Sequence, residues 1–527
     1  MCLMAAVRDS IQTVLLTWTA QQSLLIKAWI RQQLPWVHFL HQHLFDKINA
    51  VPQRFILCFF GFLAIVNAYT MRHCLHIALA HVVTPKHKHN RMRDLKSIKL
   101  SSFNLYERMQ QHRNGTWLSA RDKRRAHGET YDWSDQLQTF ILVSFYVGYV
   151  LSHVPSAQLA MRYGGKWVLA FGIAIAAVLT MLTPTAVKCG GPLALILIRL
   201  LIGLSEGPTY PALSELLSKW VPAKERATLG SLVLSGSQIG ISMGNFISAL
   251  LLHRYDWTLI FYYFGICALL WFVGFTSFCY NAPEENPFIQ LTEKQYLQKE
   301  IHTVKRRIRG GITTPWKDIF RNLPMWGLIF ATVQYDWSQT QYAAEVPQFI
   351  RDAKQLPLAE NFLNGLQNQM PYIMNWLLSV LSGALSDLLV NYEIFSVTVM
   401  RKIMTFVAAM APNLYNSLLP CLSCSEKADI FAFCHCAINV LGSYYAGIKL
   451  APLDMSPNFA ATLMGIANGF GSLTGIVGPL FKHRLGRWSQ FKVSRALIWL
   501  ISTLLISGEK QPFDQLKPVP LESDKND

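Results

Sequence analysis

Stretches of mostly apolar residues long enough to cross a bilayer recur along the whole chain, and that pattern leaves few folds open. In hydrocarbon every backbone N–H and C=O must find a partner inside the protein, so a spanning chain folds as helices or as a closed barrel. A spanning helix needs roughly 20 such residues. The runs near 55–83, 136–158, 166–187, 193–216, 227–252 and 257–280 meet that need, as do those near 324–347, 364–389, 401–421, 428–450, 457–481 and 491–507. Lys492 and Arg495 weaken the last. The pattern predicts an all-α membrane protein with about twelve transmembrane helices. Composition agrees, with 51% hydrophobic and 15% charged residues and a mean hydropathy of +0.24; a soluble enzyme of this length carries more charge.

Charge sets the orientation and the segments. Residues 281–321 separate two sets of six spans and carry Lys294, Lys299, Lys305, Arg306, Arg307, Arg309, Lys317 and Arg321, so this central loop belongs in the cytoplasm. The expected organisation is an N-terminal cytoplasmic or interfacial extension (1–53), a six-helix bundle (54–280), the central loop (281–321), a second six-helix bundle (322–508) and a cytoplasmic tail (509–527), polar and disordered from Gly508 on. The loop 84–133 falls outside, rich in Lys and Arg but long enough to translocate regardless of charge. It holds the Asn114-Gly115-Thr116 sequon, a glycosylation candidate. Residues 11–46 mix Leu and Trp with Lys27 and Arg31 and read as an interfacial amphipathic helix, the alternative being an extra span, with no cleavable signal peptide expected. The net charge of +17 lies in loops flanking apolar runs, which points to the lipid bilayer rather than to nucleic acid as the partner. The ten cysteines lack metal-ligand spacing and read as small buried hydrophobes.

Two charges stand where hydrocarbon should be. Arg199 and Glu206 lie within an apolar run, where each costs on the order of 3 kcal/mol unless it faces a partner, a cavity or a solute. On a helix they are about 10 Å apart along the axis, too far for a simple direct pair. Positions 199, 203 and 206 share a face, so Gly203 is expected to leave an open shelf between the two charges. The spacing suits an arginine that attracts an anion through its forked donors and a carboxylate that exchanges a proton or influences cation coupling. The competing reading is that both charges pair with other helices and merely hold the bundle together.

The stretch Arg199-Leu-Leu-Ile-Gly203-Leu-Ser-Glu206-Gly207-Pro-Thr-Tyr-Pro211-Ala212 is followed by Ser218-Lys219-Trp220-Val-Pro222. It resembles the organic-anion and phosphate symporters of the major facilitator superfamily, the group that includes sialin, the vesicular glutamate transporters and the sodium-phosphate cotransporters. Tyr131-Asp132-Trp133-Ser134, Phe261-Tyr262-Tyr263-Phe264-Gly265, Leu453-Asp454-Met-Ser-Pro457 and Leu463-Met-Gly465 are similar to that family in the same order. The resemblance implies two pseudo-symmetric six-helix bundles around a central cavity, alternating access, and sodium or protons as the co-transported ion; the residues themselves show no metal-ligand spacing, so no cofactor and no resident metal are expected. It makes Gly203, Gly207 and Pro211 signature positions.

The resemblance also makes Arg72 a second anion-binding candidate, in Met71-Arg72-His73-Cys74-Leu75-His76, where Cys74 and His76 replace polar family residues. The alternative for Arg72 is snorkelling to the outer interface. In the seventh span Tyr335-Asp336-Trp337 stands where the glutamate transporters have Arg-Ser-Trp, and Leu142 where they have His, which argues against glutamate. Tyr335, similar to the sialin and phosphate branches, is a substrate candidate; Asp336 is a coupling candidate, its alternative a hydrogen bond at a helix interface. Asp387 and Asp454 are kept as gating positions, whereas Met161 replaces a gating acid and Ala451-Pro452 replace Asn-His. Gly236, Gly240 and Gly244 read as helix-packing positions. The function this suggests is sodium- or proton-coupled symport of inorganic phosphate or another small anion across a plasma, endolysosomal or vesicular membrane. The alternative is a transport-inactive receptor or scaffold. No phosphate-cradling loop or nucleophile elbow points to an enzyme.

Overall fold

The computed structural model describes residues 51–82, 131, 133–301, 314–354, 362–418, 442–485 and 492–514. The first half comprises α1 (Gln53–Val82), α2 (Asp135–Tyr163), α3 (Gly165–Glu206), α4 (Thr209–Trp220), α5 (Arg226–Leu234), α6 (Gly236–Arg254) and α7 (Thr258–Phe278). Two short helices, α8 (Leu291–Glu300) and α9 (Trp316–Arg321), lie in the central segment. The second half comprises α10 (Leu323–Lys354), α11 (Phe362–Asn391), α12 (Val397–Leu418), α13 (Ala451–Met455), α14 (Ala460–Ser472), α15 (Thr474–Leu485) and α16 (Lys492–Leu505). Six stretches among the described residues are long and apolar enough to cross a membrane unaided. The sequon at Asn114, the N-terminal extension to residue 50 and most of the tenth span lie outside the described residues.

Helix ends follow local chemistry. Ser134 caps α2 by accepting from the Leu137 N–H at 3.3 Å, and Gly164 ends it at φ 91°, a left-handed conformation cheap only for glycine. The third and fourth spans form one helical run, α3, interrupted at Gly191 (φ 59°) just before Pro192. The fourth span then breaks at Gly207-Pro208 and resumes as α4, because Pro208 and Pro211 cannot donate to the preceding turn. Trp167, Phe171, Ile175, Val178 and Leu182 recur every three or four residues and are all exposed, a stripe suited to lipid.

Small residues set the helix spacing in the first half. Gly236, Gly240 and Gly244 of α6 face the backbone of α1 at Phe62, Val66 and Thr70, so the two helices touch without intervening side chains. The halves meet where α2 and α4 lie against α14 and where α5 and α6 lie against α11.

Side chains tie the segments of the basic end together, and one expectation, a tail free from Gly508 on, is corrected there. The central segment carries α8, whose Glu293 accepts from the Gln53 N–H at 2.7 Å and the Arg54 N–H at 3.2 Å, placing a carboxylate on the open N-terminus of α1. The tail is ordered as far as Asp514: Gln511 donates its backbone N–H to the Met455 carbonyl (2.8 Å), and Asp514 accepts from the Ser456 hydroxyl and the Asn458 N–H (3.1 Å). Backbone and carboxylate partners on α13 and its following turn hold a segment that hydropathy alone leaves free.

Candidate functional site

Arg72 of α1 and Glu206 of α3 form a buried ion pair. The Arg72 Nη2 and Nε donate to Glu206 Oε2 at 3.1 and 3.3 Å, and Glu206 is 0% exposed. The guanidinium lies 4.4 Å from the ring of Tyr69, 4.5 Å from Phe145 and 4.4 Å from Tyr149. Arg72 therefore does not snorkel; an aromatic cage and a carboxylate hold it inside. Arg199 is 2% exposed, and its Nε and Nη2 have no hydrogen-bond partner. Glu206 Oε1 is also unpartnered. Cys74, which donates to the Met71 carbonyl at 3.1 Å, lies against Arg199. An arginine with unfilled donors in a dry site is a standing demand for an anion.

The open shelf expected at Gly203 is absent. A Cβ there would run into the Phe145 carbonyl and the Tyr149 N–H of α2, and one at Gly207 into Ser152 and the Tyr149 carbonyl. The signature glycines bring α2 backbone to backbone with α3, which seats the Phe145 and Tyr149 rings around Arg72. Gly203→Val is expected to force these helices apart at a cost of about 1–3 kcal/mol or more. The check is a lower midpoint of thermal unfolding in detergent, together with loss of monodisperse protein.

A second group of side chains gathers from α10, α14 and the end of the tenth span. Tyr335 stacks on Tyr444 with centroids 3.4 Å apart and rings within 2° of parallel, and its hydroxyl accepts from Gln339 Nε2 at 2.9 Å. Tyr445 meets Ser237 (2.7 Å) and Gln238 (3.1 Å) of the first half. Asp336 faces Gly471 of α14 and sits within the fields of Lys449 and Arg72. Lys449 donates to Asn468 and lies 4.4 Å from the Tyr210 ring of α4. His153 of α2, fully buried, engages the Tyr149 carbonyl through Nδ1 at 2.6 Å and leaves Nε2 unpartnered.

Asp387 and Asp454 lie apart from these groups, at the end bearing the basic loops. Asp387 accepts from the N–H groups of Ala227 (3.0 Å) and Thr228 (2.7 Å), so a carboxylate of the second half caps α5 of the first. Asp454 bridges Arg226 of the first half (2.9 Å) and Arg401 of the second (2.7 Å). The Met161 sulfur accepts from the Thr462 hydroxyl at 3.0 Å, and Gln158 also reaches Thr462, at 3.0 Å. The two halves are thus fastened together at this end.

Residues 115–479 match the Major Facilitator Superfamily. The chain belongs to that superfamily. Its relatives include human sialin, 29% identical over 86% of this chain and 89% of sialin. A Drosophila ananassae protein named "Putative inorganic phosphate cotransporter" is 30% identical over 73% of this chain and 82% of its own. The chloroplastic ascorbate transporter of Arabidopsis thaliana is 30% identical over 72% of this chain and 70% of its own. Among solved structures, the superfamily's proton:xylose symporter XylE, bound to 6-bromo-6-deoxy-D-glucose, aligns with a TM-score of 0.56 at 12% identity, covering 86% of this chain and 93% of that one. This major facilitator fold explains why helices remote in sequence, α1, α3 and α10, bring charged side chains within reach of one another's fields.

Sequence reasoning names Arg72, Arg199, Glu206, Tyr335 and Asp336 for this region of the superfamily fold, but omits Lys449 and His153. Lys449 sits at the predicted end of a span, where a lysine reads as an interfacial anchor. The signal that was available is its place three residues before Pro452, where a helix must deform.

Proposed function

We propose that this chain is a secondary active transporter that carries inorganic phosphate or another small anion together with sodium or protons. Arg199 carries the reading: it is a buried guanidinium with two donor nitrogens unfilled, beside a separate Arg72–Glu206 pair that already satisfies the other arginine. The names of relatives, which include phosphate, ascorbate and anion transporters, agree with an anionic cargo.

In this reading the anion takes the free donors of Arg199. Glu206, one oxygen on Arg72 and the other unpartnered, is placed to take a proton or a sodium ion, which would loosen its hold on Arg72 and add positive field at the site. Anion and cation then favour each other's binding, which is the thermodynamic content of symport. Asp336 is a second cation candidate. Release follows opening of the Asp454 and Asp387 contacts at the basic end, which the sequence assigns to the cytoplasm, with the halves rocking about the central site. The membrane is the plasma membrane or an endolysosomal or vesicular one.

Uptake of phosphate, gluconate, ascorbate and glutamate into proteoliposomes, under imposed sodium or proton gradients, tests this. Gradient-dependent uptake of at least one is expected, falling at least tenfold in Arg199→Gln and losing its gradient dependence in Glu206→Gln. Absence of gradient-dependent uptake for every anion rejects the symporter and restores the scaffold alternative. Unchanged uptake in both variants rejects the site.

A further inference from the structure

Lys449 is a buried ammonium that the Arg199 site does not use. It ends a π-helical turn, Tyr445–Lys449, immediately before α13. Pro452 explains the turn: it has no N–H to give the carbonyl of Ile448, and its ring crowds that carbonyl, so the helix widens instead of continuing. Lys449 then lies at the boundary between the halves, 6% exposed. Its Nζ is 4.4 Å from the Tyr210 ring of the first half and 5.7 Å from the Tyr444 ring of the second, and it donates to Asn468.

A buried lysine with a purely structural role is ordinarily ion-paired. Among the described residues Lys449 makes no ion pair; Asp336 is the acid whose field it feels, without a hydrogen bond between them. Two aromatic faces and one amide oxygen hold the ammonium but do not neutralise it. In the other half, Arg199 leaves its Nε and Nη2 without a hydrogen-bond partner. Both Asp336 and His153 lie within the fields of Lys449 and Arg72, so the charges of the two halves occupy one electrostatic neighbourhood. Arg199 adjoins that neighbourhood through Glu206 and Arg72, and across these five groups three cations stand against two acids.

We propose that Lys449 is a substrate-contacting cation supplied by the second half, so that the transported anion is gripped between Arg199 on one side and Lys449 on the other. The inference rests on the anion-transport reading and deepens it. An anion touching both halves ties occupancy to their relative position, as alternating access demands. In the empty carrier Asp336 offsets the ammonium and keeps it available. Tyr210 and Asn468 position Lys449.

The decisive variant is the double neutral substitution Asp336→Asn with Lys449→Gln, which leaves no lone buried acid and so spares folding. Two readouts apply: KM for uptake of the anions above, and the concentration of each anion needed to raise the thermal unfolding midpoint of purified protein. A rise of at least tenfold in both is expected for the double variant and for Lys449→Gln alone, while Lys449→Arg stays within about threefold of wild type. Asp336→Asn alone is expected to lower both. If wild type transports and the double variant keeps wild-type KM and half-stabilising concentration, the pair is structural and the inference fails, with the transport reading intact. If no anion is taken up or stabilises wild type, the transport reading fails first and Lys449 falls with it.

Discussion

Arg72→Ala is expected to be the most damaging single substitution in the first half. Glu206 is 0% exposed, and Arg72 supplies both hydrogen bonds to its Oε2, while Oε1 has no partner. Truncating Arg72 leaves a carboxylate in a dry site with no donor and removes the cation that three aromatic rings surround. Breaking a buried pair in this way costs about 3–5 kcal/mol, whereas removing both charges together costs much less. Thermal unfolding in detergent is the check. Arg72→Ala should unfold well below wild type, and Arg72→Ala with Glu206→Gln should recover most of the loss. Uptake should stay at least tenfold down in both, because the double variant lacks the coupling carboxylate as well as the cation. A single variant as stable as wild type would show that Glu206 finds another partner and is not committed to Arg72.

That prediction depends on something the sequence could not show. Arg199 and Glu206 were legible because a charge amid Leu and Ile is conspicuous, and the surrounding Gly203, Gly207 and Pro211 marked the stretch. The twelve-span plan was legible because the bilayer imposes length and polarity on each helix separately. Pairing is different, since it depends on the rotation and height of one helix against another. The same limit explains Gly203: helical periodicity places it correctly between two charges, but only the packing of α2 shows that a neighbouring carbonyl fills the space. Lys449 was lost for a third reason, because a π turn moves a residue off the face that regular periodicity assigns.

The charge placement separates two tasks. Arg72, Arg199 and Glu206 lie together among first-half residues, and Lys449 reaches them from the second half across Tyr210, with Asp336 in the fields of Lys449 and Arg72. Asp387 and Asp454 lie at one end and contact only protein groups of the opposite half or their own. In the proposed transport cycle, binding and closure then fall to different residues. A substitution at the end should alter which side is open without altering what is bound.

Asp454→Asn tests that separation with a large expected effect. The Asp454 carboxylate accepts from Arg226 Nη1 at 2.9 Å and from Arg401 Nε at 2.7 Å, so one residue holds cations from both halves. Arg401 keeps the Ala446 carbonyl at 2.7 Å and Arg226 the Leu453 carbonyl at 3.3 Å in the variant, so neither arginine is left without a partner. What disappears is the countercharge, and hydrogen bonds to charged groups are worth about 1.5–3 kcal/mol each. A loss of even one of them shifts a two-state equilibrium roughly tenfold or more toward the form open at the basic end. A single cysteine at Ser231, 0% exposed and facing Gly383 of α11 across the junction, reports that opening when the exposed native thiols have been removed. Its labelling by a membrane-impermeant reagent from the basic-loop side should accelerate at least tenfold in Asp454→Asn, with the anion concentration that half-stabilises the protein changed less than threefold. Labelling at the wild-type rate would mean that apolar packing between α5 and α11, rather than the two arginines on Asp454, keeps that end closed.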